Sequence, residues 1–194
     1  MSKTKPRCSW CLSSDLYKSY HDEEWGVPSF DDQHLFEMLI LEGNQAGLSW
    51  ITILNKRENF REAFDGFDAE KMACYDQAKI DSLLQNKGII RNKLKINAAI
   101  NNARRYLEIL DKGNSFSDYL WQFTDGKVIT NKFRNWEEIP ANTPESNAMS
   151  KKLKQDGFKF VGSTIMYAHM QATGMVNDHI VDCFRYEACK ELVP

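Results

Sequence analysis

The chain has 194 residues, 42% hydrophobic and 27% charged, with a formal net charge of −2. This describes one globular domain over 1–194 with an ordered core at about 8–184, and it argues against disordered or fibrous classes. No stretch approaches the apolar length of a membrane span and Met1–Arg7 carries no apolar signal core, so a cytoplasmic protein without a membrane partner is expected.

Residues 1–31 read as irregular, punctuated by Pro6, Gly26 and Pro28 and loaded with Trp10, Tyr17, Tyr20, Trp25 and Phe30. Asp31 or Asp32 caps a helix running towards Leu41, and a turn near Gly43 to Gly47 separates it from a second helix through Leu54. Lys56 to Phe64 is helical and ends near Asp65-Gly66. Asp68 caps a short helix, and Asp76 opens another that runs through Leu84 and closes near Gly88. Arg91 to Leu110 is long and amphipathic, and Ser115 caps the aromatic helix Phe116 to Phe123. Residues 124–142 form the one long loop. Thr143-Pro144-Glu145 then starts a helix that reaches Asp156 and stops at Gly157. Lys159 to Thr173 makes the next helix, with Gly174 as its stop, and Asn177 to Phe184 the last. Strand signals are scarce, so the fold class is all-α. The lack of βαβ alternation argues against a nucleotide-binding sheet, and no nucleotide cofactor is expected.

Charge is unevenly spread. Lys87, Arg91, Lys93, Lys95, Arg104 and Arg105 follow one another without an acidic residue, and Lys151, Lys152, Lys154 and Lys159 are opposed locally only by Asp156. Two such faces could grip phosphates, although a charge run is more often a solvated helix face. No coiled-coil pattern or large apolar stripe demands a second subunit, so a monomer is expected.

Leu35 to Leu54 is the densest apolar segment, and Glu42 falls in its middle. An ionised carboxylate inside apolar packing is costly unless it is paired, neutralised or facing a cavity. Glu42, Gln45 and Ser49 are spaced i, i+3 and i+7, so an ordinary wet stripe is the plainer reading. The five cysteines are odd in number and unevenly spread, which argues against a disulfide scaffold and leaves reduced thiols for metal. Cys8 with His21, and His179 with Cys183 at i, i+4, could supply four ligands. Cys11 competes with Cys8, and buried cysteines beside unrelated histidines are the bland alternative. Four protein ligands leave no open position, so such a site is structural.

Three stretches together resemble the 3-methyladenine DNA glycosylase I family: Tyr20-His21-Asp22-Glu23-Glu24-Trp25-Gly26-Val27-Pro28, Leu41 to Trp50, and Gly157 to Thr164 followed by Val176-Asn177-Asp178-His179. The likeness runs from about Cys8 to Cys183. It implies a helix-hairpin-helix DNA glycosylase fold with one structural zinc ion, held by Cys8, His21, His179 and Cys183, clasping the two chain ends. Cys8 is preferred to Cys11 because it keeps the family's spacing to Trp10.

The resemblance further implies a monofunctional enzyme of the bacterial cytoplasm that flips 3-methyladenine out of double-stranded alkylated DNA and hydrolyses its N-glycosidic bond. Glu42 becomes the catalytic residue, within a base pocket of Trp10, Tyr17, Tyr20 and Trp50. Backbone amides near Phe160-Val161-Gly162 would meet phosphate, and Ala46-Gly47-Leu48 would plug the gap left by the base. Two departures stand out. Ser163 occupies the hairpin's second glycine position, and Asn177 takes the place of the superfamily's catalytic aspartate. Asp178 is adjacent, as a residue supporting His179 or as a cap. The absence of a lysine after the hairpin helix argues against a Schiff-base lyase.

Overall fold

The computed structural model describes residues 5–192. It is built around α2 (Asp32–Gln45), in which every residue from Leu35 to Asn44 is buried. A helix apolar on all sides needs neighbours on all sides, and α2 has them. They are α3 (Trp50–Leu54), α7 (Lys93–Asp111), α8 (Phe116–Trp121) and α10 (Ser163–Ala172). Around this centre lie α1 (Asp15–Glu23), α4 (Arg57–Ala63), α5 (Ala69–Ala73), α6 (Gln77–Gln85), α9 (Pro144–Gln155) and α11 (Arg185–Lys190). No described helix is long and apolar enough to cross a membrane.

The polar residues expected at helix starts cap them, and Asn92, which was not expected to, does the same. Asp31, Asp68, Asp76, Asn92 and Ser115 each accept a backbone N–H of the first turn. Thr143 forms a reciprocal cap with Ser146 ahead of Pro144.

Four elements differ from expectation. First, α1 lies inside the stretch read as irregular, capped by Ser14, whose side chain accepts from Tyr17 N–H. Second, α2 does not stop near Leu41. It runs through Gly43, where a Cβ would meet Phe160 Cβ at 3.3 Å, so this glycine marks a close approach between segments and not a turn. The helix ends where Lys95 Nζ donates to the Asn44 and Ala46 carbonyls at 2.8 and 2.7 Å. Third, α10 starts at Ser163, because Lys159 to Gly162 form the turn after α9.

Fourth, Asn177 to Phe184 is not a helix, and the last helix is α11, beyond the expected end of the core near 184, with Tyr186 and Cys189 buried. Val176–Asn177 (β2) pairs in parallel with Ile129–Thr130 (β1), and non-helical chain and turns follow as far as α11. The fold is mostly helical with this one two-stranded pair among the described residues. The short pair fastens the long loop to the C-terminal segment.

Candidate active site and metal centre

The segment before α1, α1 itself and the segment after β2 bring four ligands together. Cys8, His21, His179 and Cys183 are buried, with ligand atoms all within 4.8 Å of one another. Cys183 Sγ is 3.4 Å from His21 Nε2 and 3.6 Å from His179 Nδ1, and Cys8 Sγ is 3.8 Å from His179 Nδ1. Metal–sulfur and metal–nitrogen bonds of about 2.3 and 2.0 Å give tetrahedral edges of roughly 3.5 Å, so the quartet has the dimensions to hold one metal ion. The outer ring nitrogens are engaged, His21 Nδ1 by Asp22 at 2.8 Å and His179 Nε2 by the Trp25 carbonyl at 3.0 Å. Each therefore carries its proton outward and turns a lone pair towards the thiols.

The donor set is one that a metal ion could occupy. The Cys183 thiol is pulled down by its bond with Cys8 and by the two imidazoles, while Cys8 is pushed up by the same neighbour and by burial. The two sulfurs thus share a proton at a place where a metal ion could stand instead. Cys11 is not in the set, and its Sγ donates to the Cys8 carbonyl at 3.1 Å. The i, i+4 spacing of His179 and Cys183 works through a turn, since this segment is not helical.

A cavity of about 180 Å³ opens beside this cluster, lined by Glu42 and the four aromatics expected from the sequence, Trp10, Tyr17, Tyr20 and Trp50. Glu42 is only 3% exposed, and its Oε2 has no partner among the described residues. Burial without a counter-charge pushes its carboxyl up to about 8. Trp10 Nε1 and Trp50 Nε1 are likewise buried and unpartnered. Burial, followed by the nearness of Glu42, pushes the Tyr17 phenol up to about 12 and Tyr20 upward as well, so both hydroxyls keep their protons.

The rings pack edge-on or tilted. Trp10 lies 4.8 Å from Tyr17 and 5.0 Å from Trp25 between centroids, and Tyr20 lies 5.5 Å from Trp50. The wet-stripe reading of Glu42 is overturned, because the residue is sealed from solvent and aimed into a cavity lined by no Lys or Arg. This arrangement suits a flat ligand carrying positive charge.

Sequence reasoning missed Trp25, Gln45, Trp136, Ala168 and Gln171, which complete the lining. Trp25 sits within the quoted Tyr20–Pro28 motif and Gln45 is one turn beyond Glu42, so both carried a signal. Trp136 arrives on the long loop, 6.0 Å from Trp10, with nothing local to announce it.

Asn177 and Asp178 are both 0% exposed. Asn177 donates to the Tyr186 carbonyl and accepts from His179 N–H. Asp178 accepts from Asn131, Tyr167 and Gln171 at 2.7, 2.6 and 2.8 Å. Both side chains are taken up by protein partners.

The basic faces also resolve. Lys95 is buried as the cap of α2, Arg104 donates to the Ala73 carbonyl, and Arg105 pairs with Glu108. Lys87, Arg91, Lys93, Lys151, Lys154 and Lys159 are exposed. In the turn between α9 and α10, the Asn102 side chain clamps both backbone groups of Lys159, and Ser150 Oγ donates to the Val161 carbonyl at 2.6 Å. The amides of Phe160, Val161 and Gly162 find no acceptor among the described residues.

Comparison with known proteins adds independent findings. The sequence pattern of a family described as methyladenine glycosylase matches residues 10–186. DNA-3-methyladenine glycosylase 1 of Escherichia coli K12 is 50% identical over 184 residues, 95% of this chain and 98% of that one. DNA-3-methyladenine glycosylase of Haemophilus influenzae is 48% identical over 177 residues, 91% and 96% of the two chains. Among solved structures, a crystal structure of 3-methyladenine DNA glycosylase I is similar at a TM-score of 0.91 and 51% identity, over 92% of this chain and 98% of that one. The Staphylococcus aureus enzyme, in a study of 3-methyladenine recognition, is similar at 0.89 and 36% identity, over 93% and 96%.

Proposed function

The chain belongs to the methyladenine glycosylase family, and from that premise we propose that it excises 3-methyladenine from alkylated DNA by hydrolysing the N-glycosidic bond. The observation that carries the site assignment is Glu42, a buried and unpartnered carboxyl in an aromatic cavity that holds no basic side chain. An alkyl group on N3 gives the base in DNA a positive charge, which already weakens the glycosidic bond. A strong acid is then unnecessary, and recognition becomes the main task.

Glu42 supplies the missing counter-charge. Its carboxyl, pushed up to about 8 in the free pocket, gives up its proton when a cationic ring arrives, and it can then accept from the exocyclic amine. Trp10, Tyr17, Tyr20 and Trp50 offer ring faces to a base flipped out of the duplex, together with the unpartnered indole N–H groups of Trp10 and Trp50. Glu42 also supports the positive charge that develops on the sugar as the bond breaks, and water attacks without a covalent intermediate.

The α9–turn–α10 unit is read as the helix-hairpin-helix that meets double-stranded DNA. Its free amides at Phe160 to Gly162 face a backbone phosphate, and Lys159 stands beside them. Leu48, 41% exposed at the end of α2, is the residue to fill the gap left by the base. The quartet of Cys8, His21, His179 and Cys183 is read as holding one structural zinc, and its all-Cys/His donor set supports that choice.

The test is base release from methylated DNA. The expected product is free 3-methyladenine with an intact abasic strand. Release of 7-methylguanine in its place would refute the substrate assignment.

A further inference from the structure

Gln171 lines the same cavity as Glu42 and is 9% exposed. Its backbone is fixed, because Gly26 N–H donates to the Gln171 carbonyl at 3.0 Å. Its side chain is fixed too. Nε2 donates at 2.8 Å to Oδ2 of Asp178, which is wholly buried and also takes the Tyr167 hydroxyl at 2.6 Å and the Asn131 amide at 2.7 Å. A carboxylate so engaged only accepts, so it dictates which end of the Gln171 amide faces it. The nitrogen goes to Asp178. Oε1, which takes no hydrogen bond from any described residue, is the end left for the cavity.

Building on the base-excision reading, we propose that Gln171 is a specificity-determining residue and Asp178 its positioning residue. The lining then carries two fixed acceptors, the Glu42 carboxylate and Gln171 Oε1. An adenine lesion bears an exocyclic amine with two N–H groups that can satisfy both. A guanine lesion carries a carbonyl oxygen at the same ring position, and that oxygen would face acceptors only. Leaving like polar groups opposed in a dry pocket rejects a ligand more strongly than a missing methyl group does. Tyr167 and Asn131, from α10 and the long loop, hold Asp178 still from two sides and thereby prevent the amide from turning over.

The experiment compares 3-methyladenine with 3-methylguanine as leaving bases in otherwise identical duplexes, using Gln171→Met and Asp178→Asn in the metal-loaded full chain. In Gln171→Met, kcat/KM on 3-methyladenine falls roughly five- to tenfold, the scale of one neutral hydrogen bond, while 3-methylguanine is released faster because one opposing oxygen is gone, and the ratio narrows. An asparagine at 178 can donate as well as accept, so Gln171 can turn over and show its nitrogen to the base. The ratio then moves further towards guanine, which a merely structural Asp178 would not produce.

Equal losses on both lesions, with metal content and melting unchanged, would overturn the assignment while leaving base excision intact. A wild-type chain that releases neither base overturns both. If Gln171→Met does not fold, Gln171→Leu is the second isostere, read by tryptophan quenching with the free bases. An unchanged preference there refutes the role.

Discussion

Two buried polar clusters lie side by side, separated by the Trp10 and Trp25 rings, and they are built on opposite rules. In the cysteine–histidine quartet every group has a neighbour, and even the outer ring nitrogens are held by Asp22 and the Trp25 carbonyl. In the aromatic cavity, Trp10 Nε1, Glu42 Oε2 and Trp50 Nε1 have none. A satisfied cluster contributes to stability, whereas an unsatisfied one costs stability and waits for a ligand. The contrast distinguishes a cluster fit to hold a metal from a cavity fit to take a ligand.

Removing the proposed metal is the harshest way to break this contrast. A strong chelator, or Cys183→Ser, opens a link between residues 171 positions apart. By the cross-link model this costs roughly 4–5 kcal/mol, and Tm should fall by about 10–15 °C. Thermal melting with metal analysis checks this. Loss of activity at a temperature where the stripped protein is still folded would give the metal more than a structural role.

Glu42→Gln should do the reverse, lowering kcat/KM on 3-methyladenine roughly a hundredfold while raising stability. The sign follows from linkage. The Glu42 carboxyl is held up at about 8 in the fold, while an unfolded chain ionises near its ordinary value. Its contribution to stability is therefore complete at acid pH and is lost as pH rises towards 8. The advantage of Glu42→Gln should widen by up to about 1.4 kcal/mol per pH unit between pH 5 and 8, as read by denaturant unfolding.

The pH profile of the wild type sharpens the same point. The cationic lesion needs the ionised carboxylate, so single-turnover release should rise by at most about tenfold per pH unit and level off near pH 8. A flat profile from pH 6 to 8 would mean that Glu42 is already ionised. The smallest effect belongs to Trp136, which is 38% exposed at the edge of the cavity and lies tilted against Trp10 and Trp25. Trp136→Ala should cost roughly fivefold in release and almost nothing in Tm.

Much of this was legible in the chain, because caps and charges in the wrong place are local signals. Glu42 stood out within an apolar helix, and the aromatic N-terminus supplied four of its cavity neighbours. The misreadings have a common cause, namely that tertiary contact overrode local preference. Gly43 looked like a turn but admits Phe160, and Lys95 looked like a phosphate contact but ends α2. The stretch from Asn177 to Phe184 has a helical look, yet it is pinned by a strand partner some 50 residues earlier. Trp136 and Gln171 gave no local hint, since only the folded chain brings them to the cavity.

The lacing of the N-terminal segment to the end of α10 bears on how the protein is made. Gly26 N–H and Ser29 N–H donate to the Gln171 and Thr173 carbonyls, and Gly174 passes so near Val27 and Pro28 that a Cβ there would lie 2.2 Å from the Val27 carbonyl carbon. The wall carrying Trp10, Tyr17 and Tyr20 thus has its final seat only after residues beyond 170 have left the ribosome. A nascent chain holding α2 and Glu42 has no closed cavity, and neither does a fragment cut short before His179. Closure of the cavity over Glu42 therefore depends on residues beyond 170, far along the chain from those that line most of it.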